Sequence, residues 1–121
     1  MTSTAPAGWH TVAPRIVVED AAGLVAFVKR VFEATGEFRV DAPSQISIGD
    51  SILMVSEAGP REAFPAFLYV YVEDADATCQ RAVNAGAALL EAVWETPYGD
   101  RRGMVRDSWG NVWQIATHRP R

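Results

Sequence analysis

Hydrophobic positions along this chain change period several times, and each change marks an element. The β-branched letters of TVAPRIVV (11–18) predict a strand. Apolar residues Leu24, Phe27, Val28, Val31 and Phe32 then recur at three- and four-residue spacing, which predicts a helix over 19–36. Asp20 suits its N-cap and Gly36 its C-terminal stop. Three short strands follow at 37–40, 44–49 and 51–56, the last two joined by a Gly49-Asp50 turn. The segment 57–65, with two prolines and a glycine, reads as a linker. The order then restarts: strand 66–72, helix 73–86 ending at Gly86, and strands 87–95, 102–107 and 111–117. TPYGDRR (96–102) reads as an exposed turn.

The restart is visible in letters. VEDA occurs at 18–21 and again at 72–75, an offset of 54, at the same strand-to-helix junction. A turn glycine, Gly49 or Gly110, precedes each last strand. Internal duplication of this kind predicts an α+β fold of two βαβββ modules. The expected division is one domain over 1–121, with module 1 at about 10–56 and module 2 at about 66–118.

A length of 121 residues suits one domain, and a net charge of −4 argues against a nucleic-acid surface. The single cysteine, Cys79, permits no intrachain disulfide and fits a reducing cytoplasm. MTSTAPAG lacks the pattern of a signal peptide, and no apolar run reaches the ~20 residues of a membrane helix. No nucleic-acid or membrane partner is expected.

The second half, YVEDADATCQRAVNAGAALLEAVWETPYGDRRGMVRDSWGNVWQIATH, resembles the vicinal oxygen chelate superfamily, the glyoxalase/bleomycin-resistance/dioxygenase fold. VEDADA, AGA, YGDR and the RDxxGNxWxIATH pattern resemble its PhnB-like branch. The resemblance covers residues 10–118, with an unusually short VDAPSQ between the second and third strands of module 1. It implies curved mixed sheets around a central cavity, helices on the outer face, and modules paired within a chain or across a homodimer. It also implies metal ligands at one position on the first and last strand of each module. Those positions are Ala13, Met54, Phe67 and Gln114, of which Gln114 alone could ligate. No metal and no cofactor is therefore expected. His10 and His118, near the chain ends, read as surface groups.

Strand alternation assigns sides. Arg15 and Val17, Met54, Phe67, Tyr69 and Tyr71, and Val112, Gln114 and Ala116 should line the concave face. Ile16, Val18, Leu53, Val55, Leu68, Val70, Trp113 and Ile115 should pack beneath the helices. A lining of Arg15, Met54, Phe67, Tyr69, Tyr71 and Gln114 is the mixed apolar, aromatic and sparsely polar surface of a small-molecule pocket. Arg15 could hold an anion or pair with a rim carboxylate, and Gln114 could touch a ligand or serve as a bonded core amide. Cys79 reads as a buried thiol, the GDRR turn as a solvated tip or partner contact, and Trp94 and Trp109 as rim or interface rings. Two functions stay open. One is a metal-free binding protein; the other is a superfamily enzyme (lyase, dioxygenase or thiol transferase) with an atypical or metal-free site. No general base is evident among the lining residues.

Overall fold

The computed structural model describes residues 4–119. The elements run β1 (Arg15–Val18), α1 (Ala21–Phe32), β2 (Ser44–Ile48), β3 (Ser51–Glu57), β4 (Phe67–Tyr71), α2 (Ala75–Asn84), β5 (Ala88–Glu95), β6 (Asp100–Arg106) and β7 (Val112–His118). They form two mixed sheets, one ordered β1-β3-β2 and one ordered β4-β7-β6-β5. Two compact units result. One takes the chain up to Lys29 with Glu33–Phe64; the other takes Arg30–Phe32 with the chain from Pro65 onward. No helix among the described residues is long and apolar enough to cross a membrane.

Within the first unit, β1 pairs parallel with β3 and β2 pairs antiparallel with it. Ile16, Val18, Leu53, Val55 and Ile46 are buried, as are Leu24, Phe27 and Val28 of α1. Alternation on the strands and a three-to-four spacing on the helix thus converge on one core. The expected strand at 37–40 does not form. Phe38 and Val40 are exposed, Arg39 N donates to the Ser44 hydroxyl, and the isolated Thr35–Ser47 bridge lies just ahead of the segment. β-favouring letters need a partner ladder, and none is offered to these four residues. Gly36 is not the helix stop either, because the left-handed cap is Glu33. Its φ is +123°, and a Cβ there would strike the Gln45 carbonyl, so close backbone approach demands the glycine.

The second unit is a full βαβββ module. β4 pairs parallel with β7, and β6 pairs antiparallel with both β7 and β5. Trp113, Ile115 and Val105 are fully buried on the side covered by α2. A Cβ on Gly103 of β6 would lie 2.8 Å from both Cys79 Sγ and Val93 Cγ2, so the helix approaches the sheet closely there. Burial pushes the Cys79 thiol up to about 11, which leaves it protonated and inert. Phe32 packs on Trp113 with ring centroids 5.0 Å apart. Arg81 Nε donates to the Val31 carbonyl, closing a helix-end acceptor.

The duplicated letters do duplicated work. Asp20 and Asp74 both cap a helix, accepting from Gly23 N and Ala77 N. The next orphan amides are also matched: Ala21 N donates to Glu57, and Ala75 N donates to Thr117 Oγ1. Arg15 faces Met54 in one ladder and Tyr69 faces Gln114 in the other, so the two parallel pairs share one register.

Candidate functional site

The side of the second sheet away from α2 gathers the chemistry. Residues opposite one another in a ladder share a side of the pleat. Tyr69 lies opposite Gln114, Tyr71 opposite Ala116, Met104 opposite Gln114, Arg102 opposite Ala116, and Asp100 opposite His118. Irregularities in the β5–β6 ladder set Glu91 opposite Met104 and Trp94 opposite Arg102, three residues apart yet on one side. Ala116 is fully buried and Val17 of the first unit is nearly so, its carbonyl also accepting from Phe64 N; both were expected to line an open face.

Asp100 is the hub. It is pinned by Thr96, whose hydroxyl donates to the Asp100 carbonyl at 2.7 Å and accepts from its amide at 3.1 Å. Its Oδ2 accepts from the Tyr69 hydroxyl at 2.6 Å and the Tyr71 hydroxyl at 2.9 Å. Its Oδ1 lies 2.8 Å from His118 Nδ1. The Tyr69 and His118 hydrogen bonds hold the Asp100 carboxyl below the usual carboxylate range. Burial, then the bond to Asp100, raises the Tyr69 phenol well above its ordinary value; the bond to Asp100 raises Tyr71 as well. Next to them, Arg102 donates to Tyr98 at 2.6 Å and to Glu91 at 2.7 Å, with its guanidinium 5.9 Å from the Trp94 ring centroid. Trp94 Nε1 donates to Glu91 as well, and Arg102 depresses the Glu91 pKa. Arg102 Nε is buried without a hydrogen-bond partner among the described residues.

The six residues expected to touch a ligand divide between the units. Phe67, Tyr69, Tyr71 and Gln114 share one side of the second sheet, with the tyrosine ring centroids 5.2 Å apart. Gln114 is half-buried, and its amide finds no partner among the described residues. Arg15 and Met54 belong to the first unit. Arg15 Nε donates to the Ser56 hydroxyl, and no carboxylate pairs with it among the described residues. Met54 helps line a pocket of about 350 Å³ with Ala13, Trp9, His10 and Thr11. His10 and Ala13 therefore share that pocket, where strand regularity had set them apart; β1 begins only at Arg15.

A divalent metal does not fit the mapped positions. Alanine, methionine and phenylalanine offer no donor suited to a first-row divalent ion, and one amide is too few. Among the described residues no group of three His, Cys, Asp or Glu comes together.

Sequence reasoning missed Asp100, His118, Arg102 and Tyr98. The exposed turn is confined to 97–99, where Pro97 and Tyr98 are exposed; Thr96 and Asp100 are buried, and β6 already begins at Asp100. The available signal was alternation in DRRGM, where Asp100, Arg102 and Met104 share parity.

The sequence model of the Glyoxalase/Bleomycin resistance protein/Dioxygenase superfamily matches residues 9–115. An uncharacterised protein of Mycobacterium bovis is 30% identical over 120 residues, covering 84% of this chain and 79% of its own length. The crystal structure of TioX from Micromonospora sp. ML1 superposes with a TM-score of 0.75 at 23% identity, covering 90% of this chain and 98% of that one. A glyoxalase/bleomycin resistance protein/dioxygenase family enzyme from Burkholderia phytofirmans gives 0.74 at 22% identity, covering 88% and 96%.

Proposed function

The chain belongs to the glyoxalase/bleomycin resistance protein/dioxygenase superfamily, and from that premise we propose that it binds a small organic molecule without a metal ion. The observation that carries this reading is the Gln114 amide. It sits opposite Tyr69 and Met104 with no protein partner among the described residues. A half-buried amide without a protein partner takes one from water or a ligand. Around it are aromatic faces and a thioether, which suit a flat, largely apolar molecule. Phe67 extends that surface; Arg15 and Met54 belong to the first unit and are proposed as a ligand surface of that unit by itself. The proposed setting is the cytoplasm, where the lone thiol stays reduced, and the proposed assembly is a homodimer.

Native mass spectrometry against a library of small aromatic carbonyl compounds, with parallel metal analysis, tests the reading. Reversible adducts that Gln114→Leu and Tyr69→Ala weaken, with metal far below one ion per chain, are expected. A tightly held metal equivalent lost on Gln114→Ala would sink it. So would adducts indifferent to both substitutions.

A second reading, an enzyme working without metal, is favoured by the contact between His118 and Asp100.

A further inference from the structure

We propose that His118, oriented by Asp100, is a proton-accepting base on this side of the second sheet, acting on a planar small molecule that carries an acidic C–H or O–H group. An ionised carboxylate only accepts hydrogen bonds, so the 2.8 Å contact to Asp100 Oδ1 places the ring proton on Nδ1. The lone pair of the neutral ring is then on Nε2. The imidazole is 57% exposed while Asp100 is 3% exposed. One end of the ring is therefore anchored in the protein and the other is open.

Other candidate bases on this side are spent. Glu91 accepts from Arg102 and Trp94. Asp100 accepts from both tyrosines. Those two bonds keep the carboxylate an acceptor, so it holds the ring in place through Nδ1 and leaves Nε2 facing outward. The charged and titratable groups facing this pair are Tyr69, Tyr71, Tyr98 and Arg102, and Arg102 is itself paired with Glu91. In the step, the substrate's C–H or O–H bond breaks, its electron pair stays on the substrate, and the proton forms the Nε2–H bond. The proton afterwards returns to another substrate atom or to water. The tilted tyrosine rings supply flat faces for the planar molecule.

The position of the substrate rests on the binding reading above; the base itself does not. The probe is 5-nitrobenzisoxazole, which needs only a base. Its ring C–H proton passes to Nε2, the C–H pair completes a nitrile, and the N–O bond breaks to a coloured phenolate. His118→Ala should lower kcat by at least about tenfold with little change in KM, and added imidazole should restore part of the loss. Histidine side-chain nitrogen NMR of the neutral ring should show the Nδ1–H tautomer for His118, and Asp100→Asn should abolish that preference. His118→Ala leaves Asp100 its two tyrosine donors, so it keeps the fold. Equal rates for wild type and His118→Ala, or an Nε2–H tautomer in the wild type, would overturn the proposal. A rate linear in probe without saturation would defeat the binding reading instead. The ratio of rate constants between the two proteins would then still decide the base.

Discussion

Asp100 concentrates three side-chain contacts on one carboxylate, and pH should read them out. Its folded pKa lies below the ordinary value. The stability it contributes is therefore fully present above the unfolded carboxylate pKa of about 4 and is lost as pH falls through the folded value. Tyr69 and Tyr71 are raised, so theirs is present below about pH 10 and is lost as pH rises further. Urea midpoints taken from acid to alkali should accordingly fall at both ends. Asp100→Asn should flatten the acid limb, and Tyr69→Phe the alkaline one. Unchanged limbs in both variants would show that the hub is not linked to folding. One residue apart on β7, Trp113 and Gln114 should behave oppositely. Trp113 is fully buried, bonded through Nε1 to Asp107 and packed on Phe32. Trp113→Ala should cost ~3–5 kcal/mol. Gln114→Leu removes an amide without a protein partner, so denaturant titration should find a change within roughly 1 kcal/mol. A large loss on Gln114→Leu would mean that its amide is a structural group after all.

The turn between β6 and β7 is built as one unit around the buried Asp107. That carboxylate accepts from Trp109 N, Asn111 N, Asn111 Nδ2 and Trp113 Nε1. Asn111 Oδ1 in turn accepts from Ala66 N, just ahead of β4. Asp107→Ala strips the acceptor from four donors, and calorimetry should show a loss of about 3 kcal/mol. A loss within experimental error would mean that water replaces the carboxylate freely. These elements also show what letters reveal. β3, β4, β7 and both helices follow the predicted pattern because each has distinguishable sides, and burial writes that difference into the sequence. Segment 37–40 shows the converse: strand-like letters, no partner. Asp100 and Arg102 are not legible in the sequence because polar residues that satisfy one another have the same letters as loop residues. Pairing Asp100 with His118 needs the β6–β7 register, and aligning Glu91 with Trp94 needs the ladder irregularities in β5. Tyr69, Tyr71 and Gln114 needed only alternation, so they were legible.

Duplication organises the whole molecule, since both units cap their helices with the Asp of VEDA and share one parallel register. The copies have nonetheless diverged. The first keeps three strands and the second four, and the acidic and tyrosine hub belongs to the second alone. Large rings remain in water at their surfaces. Phe64 is 77% exposed and Phe67 67% exposed. Exposed aromatics of this size are more common at interfaces than on free surfaces, and symmetric closure is the usual way a chain covers its own. Sedimentation velocity at micromolar concentration should therefore find a dimer. Phe64 suits a test of that surface because its ring is largely exposed while its backbone amide donates to the Val17 carbonyl. Phe64→Asp should leave the thermal transition of the chain in place while raising the dimer dissociation constant by about tenfold or more, ~1.4 kcal/mol of association free energy. A wild-type monomer that stays monomeric as concentration rises would refute the dimer. A dimer indifferent to Phe64→Asp would instead move its interface away from this ring.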